Sequence, residues 1–172
     1  MQENNPTTTL SSVILLILKE LRLERNMHQA QVAEACDKTP SAWTKIELGK
    51  SPLSMEIFFR VCNILQVAPS SILATAERHS ALLSQNKWWI MSKQLDFDDD
   101  DLLQKAQEYY SSENYKYRQP HYQYNIILNE PTYQPNGSIQ ISPVFEYALV
   151  VQPNKLLEKI SNHKAKIKFS VS

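Results

Sequence analysis

Apolar residues recur at helical spacing through the first half of this 172-residue chain, and the runs are separated by turn-forming residues. Met27, Ala30, Val32, Ala33 and Cys36 form one run, Asp37 and Lys38 interrupt it, and Thr39-Pro40 restarts the period with Trp43, Ile46 and Leu48. Thr39 offers a side-chain oxygen to cap the second of these helices, and Pro40 suits its first position, where a missing N–H costs nothing. Gly49 follows the last periodic residue and is free to take the left-handed conformation that closes a helix. Around this pair the pattern predicts a helix from Ser11 or Ser12 to Arg25. Another should start at Ser54 with Ile57, Phe58, Val61, Cys62 and Leu65 inward. A short one should follow from Pro69 or Ser70 to Leu73 or Ala76.

The second half changes character. Helical pattern continues or restarts over 79–85, Trp88-Trp89-Ile90-Met91 reads as a strand, and Asp96–Asp101 opens a helix whose acidic start suits the positive end of its dipole. Strands are expected over 122–128, 138–142 and 144–151, with Pro135-Asn136-Gly137-Ser138 as a reverse turn and Pro143 parting the last two. A helix over 154–163 and a lysine-guarded edge strand over 164–171 complete the reading. Residues 1–9, polar and without a base, read as a disordered arm. The expected organisation is therefore that arm, a mainly α five-helix bundle over 10–79, and a small α+β domain with antiparallel strands over 80–172.

The first helix carries more apolar surface than a small bundle can use. Val13 to Leu18 is apolar on every side, so something beyond the bundle, either the second half or a second subunit, should cover it. The same run is too short to span a membrane and has no base before it, as a secretory signal would; a cytoplasmic location is expected. Cys36 and Cys62 both fall at helical core positions, which predicts free buried thiols.

Charge sharpens the picture only locally. Lys+Arg and Asp+Glu both number 18. Acids crowd 96–113 and bases crowd 153–172, so any polyanionic partner must meet a local basic surface. The acidic run lacks the glycine and closing glutamate of a calcium loop: Asp101 stands at position 6 and Gln107 at position 12. Tyr115, Tyr117, Tyr122 and Tyr124 alternate with Lys116, Arg118 and His121, a pattern that suits one face of a strand better than a base-stacking platform.

Gln29-Ala30-x-Val32-Ala33, the run from Thr39 through Ser41, Trp43, Ile46, Glu47 and Gly49 to Lys50, and the Ser54-Met55-Glu56 helix start resemble the Cro/lambda-repressor-like (XRE) helix-turn-helix domain over about residues 12–75. The resemblance implies double-stranded DNA as partner, with helix 40–48 in the major groove. The DNA-facing set it implies is Gln29, Lys38, Thr39, Pro40, Ser41, Thr44, Lys45 and Lys50. It also implies a partly buried ion pair between Arg22 and Glu47, and a homodimer on paired half-sites. Three departures stand out. His28 replaces the usual capping residue of the second helix, a loss of about 1 kcal/mol. Trp43 fills a core position where a smaller Ile is common. Asp37 stands in the turn where Gly is frequent, and Asp tolerates left-handed backbone better than most residues.

The resemblance thus points to a sequence-specific transcriptional regulator, a dimeric repressor in the first instance. Residues 80–172 resemble no family and admit two roles: an oligomerisation or small-effector module, or a protein-partner module as in an antitoxin that represses its own operon. An enzyme is not expected. The chain has no GxSxG, no phosphate-binding glycine loop, no HExxH and no Ala-Gly self-cleavage point, and Gly137 is the only glycine after Gly49. No cofactor or metal is implied.

Overall fold

The computed structural model describes residues 5–116 and 126–150, apart from the Asn114 side chain. The chain is mainly helical. Its elements are β1 (Thr7–Thr9), α1 (Leu10–Glu24), α2 (Gln29–Ala35), α3 (Pro40–Glu47), α4 (Met55–Ile64), α5 (Pro69–Gln85), β2 (Trp89–Met91), a 3-10 turn (Phe97–Asp99), α6 (Asp101–Ser111), α7 (Glu113–Lys116), α8 (Ile126–Asn129), β3 (Thr132–Tyr133), β4 (Ile139–Gln140) and α9 (Pro143–Val150).

α1 is the central helix. Thr9 caps it by accepting from the Ser12 amide at 3.1 Å, and Val13, Leu15, Leu16, Ile17, Leu18 and Leu21 are all buried. A stripe that wide needs walls on several sides, and α1 packs against α3, α5, α6 and α8. The cover for the surplus leucines thus includes the chain's own second half. One apolar cluster runs from Val13 and Phe58 through Leu102 to Phe145 and Ala148.

Polar contacts pin the same junction. Tyr110 Oη and Ser142 Oγ donate to the two Glu20 oxygens at 2.5 and 2.9 Å, and the Ile127 amide donates to Glu24 at 2.8 Å. Asp100 and Asp101 turn inward rather than toward solvent. Asp100 accepts from Thr8 Oγ1 at 2.9 Å and Ser12 Oγ at 2.5 Å while capping α6 through the Leu102 and Leu103 amides. Burial pushes its carboxyl pKa up, and these hydrogen bonds oppose that shift. Asp101 accepts from the Thr7 amide at 2.7 Å. These acids hold β1, which pairs in parallel with β2. Thr7–Thr9 lie within the segment expected as a disordered arm; a strand partner and two buried carboxylates, distant in sequence, order them.

Other expectations are corrected. Of the two expectations for 79–85, a helix that continues or one that restarts, the first holds: α5 runs unbroken from Pro69 to Gln85, past the expected end at Leu73 or Ala76. Residues 144–150 form α9 rather than a strand. Pro143, read as parting two strands, is the first residue of that helix, and the buried residues Val144, Phe145 and Ala148 have helical spacing. Residues 126–129 are helical too, because a short apolar run such as Ile126-Ile127-Leu128 does not distinguish helix from strand. α7 replaces the start of the tyrosine-alternating strand.

The expected antiparallel strands shrink to a two-residue hairpin, β3 with β4. In its turn only Gly137 takes positive φ, at +82°, and Asn136 instead accepts the Ser138 amide at 3.0 Å. The strand residues 122–125, the helix over 154–163 and the edge strand over 164–171 lie outside the described residues. Among the described residues no single helix is long and apolar enough to cross a membrane.

His79, 1% exposed, donates through Nδ1 to the Thr75 carbonyl at 2.9 Å, and its ring lies 4.4 Å from that of Phe145. Burial pulls its pKa down to about 4, with the Thr75 carbonyl opposing the shift and Arg78 adding to it. Between pH 6.5 and 4 the unfolded chain therefore binds a proton that the folded chain does not, so stability is lost as pH falls through that window. The expected loss reaches about 3 kcal/mol at pH 4, and His79→Gln should flatten this part of the profile. Melting curves from pH 7 to 4 for the two proteins check it.

Candidate nucleic-acid interface

α2 and α3 meet at a turn built from local chemistry. The Lys38 amide donates to the Ala33 carbonyl at 2.9 Å and the Asp37 amide to Glu34 at 3.1 Å, the paired bonds of a helix stop that requires left-handed backbone between them. Asp37 takes that conformation, with φ of 52°. Its carboxylate also pairs with Arg60 of α4, which bonds Glu56 at 3.0 Å through its other nitrogen. The turn is thus tied to α4, a link that no local spacing in the sequence announces.

α3 begins as its sequence dictates. Thr39 accepts the Ala42 amide at 3.2 Å, and Pro40 is the first helical residue. It ends at Gly49, φ +73°, with the Gly49 amide on Ile46 at 2.9 Å and the Lys50 amide on Lys45 at 2.8 Å. A second constraint falls on Gly49: a Cβ there would sit 2.3 Å from Leu103 of α6. The glycine serves both the helix stop and the approach of the second half. At the start of α2, Gln31 accepts the His28 amide at 2.8 Å, which holds that end from within the helix.

Behind α3 lies a buried polar lock. Arg22 of α1 grips Glu47 in two parallel bonds, Nε to Oε1 at 2.6 Å and Nη2 to Oε2 at 3.0 Å, and its remaining nitrogen bonds the Met27 carbonyl at 2.7 Å. Arg22 and Glu47 are 7% and 3% exposed. Gln29 joins the lock: its amide nitrogen donates to Glu47, and its oxygen accepts from Thr44 Oγ1 at 3.2 Å. The one Thr44 hydroxyl hydrogen is shared with the Pro40 carbonyl, the nearer acceptor at 2.9 Å.

The outward face is different. Lys38, Thr39, Pro40, Ser41, Lys45 and Lys50 are exposed, whereas Trp43 and Ile46 are buried behind them. Among the described residues the side chains of Ser41 and Lys45 have no hydrogen-bond or ion-pair partner, while Lys50 lies over the Phe97 ring at 4.9 Å. The structure therefore divides the eight residues named from sequence into an outward group, Lys38 to Ser41 with Lys45 and Lys50, and an inner pair, Gln29 and Thr44. Trp43 fits the core at 2% exposure, although its indole N–H has no acceptor among the described residues. Cys36 and Cys62 are free and buried, and burial pushes the Cys62 thiol up to about 11.

Two short helices crossing at a capped turn, one backed by a buried ion pair and bare on its other face, agree with the result of comparison. Residues 18–72 match the helix-turn-helix family. The match covers under half of the chain, and the part beyond residue 72 is unrecognised. No curated relative and no solved structure matches the chain. The helix-turn-helix segment marks a DNA-binding protein of the regulatory kind, with double-stranded DNA as its partner.

Removing one partner from the buried pair strands the other charge. Glu47→Ala should therefore lower stability by about 3 kcal/mol, and the paired apolar replacement Arg22→Met/Glu47→Leu should recover most of that loss. Denaturant titration of the three proteins checks this; an unchanged midpoint in Glu47→Ala would remove the lock from the account.

Proposed function

We propose that the protein is a sequence-specific transcriptional regulator, a dimeric cytoplasmic repressor that lays α3 of the helix-turn-helix domain in the major groove. The observation that carries this reading is the two-sidedness of α3, anchored by Trp43, Ile46 and Glu47 and bare at Pro40, Ser41 and Lys45. Lys45 donates to a guanine edge, Ser41 contacts a base or phosphate, and Pro40, without a donor, meets a thymine methyl group. Lys38, Lys50 and the amides at the start of α3 hold the backbone, with Thr39 shaping that end.

Gln29 and Thr44 act from behind. The Gln29 amide bonds Glu47 through its nitrogen and meets Thr44 through its oxygen, and each end keeps one further hydrogen-bonding position. Gln29 uses that capacity to anchor a phosphate or to pair with adenine. One α3 makes too few contacts for tight specific binding, hence a dimer on half-sites about 34 Å apart. The protein is not an enzyme in this reading.

A second reading is an antitoxin-like autoregulator whose second half binds a protein partner. Trp89, Tyr133, Ile139 and Val150 are exposed apolar side chains there that a partner would cover, although the first half exposes as many. A small protein that copurifies in fixed ratio and covers these side chains favours it.

Selection from random DNA supplies the site for the decisive experiment. Lys45→Ala should weaken binding to that site by about 1–3 kcal/mol and relax the preference at one base pair in each half-site. Wild-type affinity and preference in the variant would reject α3 as the reading element. Light scattering at micromolar concentration should give a dimer, and a monomer that occupies a single half-site would overturn the paired arrangement.

A further inference from the structure

We propose that the half-open cavity lined by α1, the end of α3, Phe97 and α6 binds a small organic carboxylate with an apolar body. The cavity measures about 250 Å3, slightly below the usual range for ligand pockets of about 300–1,000 Å3, so its occupant is of modest size. Leu16, Leu48, Phe97, Leu103 and Ala106 supply an apolar wall. One cation faces that wall. Lys19 of α1 reaches the cavity with its Nζ 3.6 Å from the centre of the Tyr110 ring, and it has no hydrogen-bond or ion-pair partner among the described residues.

The neighbouring carboxylates do not satisfy Lys19. Glu47 also lines the cavity, but Arg22 and Gln29 engage its oxygens. Glu20 accepts from Tyr110 and Ser142. Arg22 is turned to Glu47 and the Met27 carbonyl, and Lys50 lies over the Phe97 ring. Burial lowers the Lys19 pKa, with Glu47 and Glu20 pulling it back and Arg22 adding to the fall. A half-buried ammonium without a counter-ion beside an apolar cavity is recovered by a ligand that brings a carboxylate and little other polarity. Gln107 and Ser111, at the rim, add donors for its second oxygen.

The place of the cavity gives its occupant a consequence. Leu48 and Glu47 at the end of α3 line it, Gly49 touches Leu103, and Lys50 lies over Phe97. A ligand that moves α6 against this corner changes how Lys45 and Lys50 are presented, and DNA in turn changes the affinity for the ligand. This coupling rests on the regulator reading; the carboxylate site does not.

The test titrates the full chain with phenylacetate, indole-3-acetate and hexanoate, and with their neutral amides, by calorimetry. At least one acid should bind with a dissociation constant at or below about 1 mM, and its amide about tenfold more weakly. Lys19→Met, which keeps the apolar stem, should lose about tenfold, Lys19→Arg should keep binding, and Ala106→Leu should block it by filling the cavity. No acid binding below about 10 mM, amides binding as well as acids, or undiminished binding in a folded Lys19→Met protein would each overturn the site. Saturation with the acid should shift the affinity for selected DNA at least threefold. Acid binding with no shift removes the coupling and leaves the site. Acid binding by a protein that selects no DNA removes the regulator reading instead.

Discussion

The grip of Arg22 on Glu47 is the contact on which the placing of α3 depends. It spans from the last turn of α1 to the last turn of α3, and its third bond, to the Met27 carbonyl, fastens the turn that leads into α2. A guanidinium and a carboxylate in two parallel bonds tolerate little change in angle. The pair therefore fixes how far α3 stands out from α1. Gln29 extends the constraint to the start of α2, so both helices of the motif are referred to one buried charge pair. Burying such a pair contributes little net stability against an apolar replacement, and its value here lies in orientation.

α1 can hold that reference because it is walled in. The second half closes over the leucines that a five-helix bundle would leave bare, and Glu20 and Glu24 of α1 take hydrogen bonds from Tyr110, Ser142 and Ile127. α6 comes close to Gly49, just past the end of α3, and Phe97 lies under Lys50, so the unrecognised half of the chain borders the corner where α3 ends. Leu103 of α6 and Leu48 line the same cavity, so the second half borders the end of α3 directly.

Much of the first seventy residues was legible because their determinants are local. Thr39, Pro40 and Gly49 specify where α3 starts and stops within a few residues of themselves, and the inward stripe of α4 needs only its own period. The excess of leucines on α1 also showed in the sequence, as a demand for cover without an address for it. The address depends on contacts such as Glu20 with Ser142, separated by 122 positions, which leave no periodic trace. The second half was harder for a physical reason as well. Ile126-Ile127-Leu128 and Val144-Phe145 are β-branched and aromatic runs too short to show a period, and tertiary burial against α1 and α6 settled them as helix. Gln29 was named from its position as a DNA contact; that its amide also bonds Glu47, behind α3, is visible only in three dimensions.

The central claim, that α3 enters the major groove from a frame set by α1, is open to a direct measurement. In methylation interference on a selected site, guanine N7 lies in the major groove and adenine N3 in the minor groove. The account predicts that N7 methylation blocks binding at two clusters of guanines about one helical turn apart, and that N3 methylation between them has little effect. Interference confined to adenine N3, with N7 methylation tolerated throughout, would contradict it.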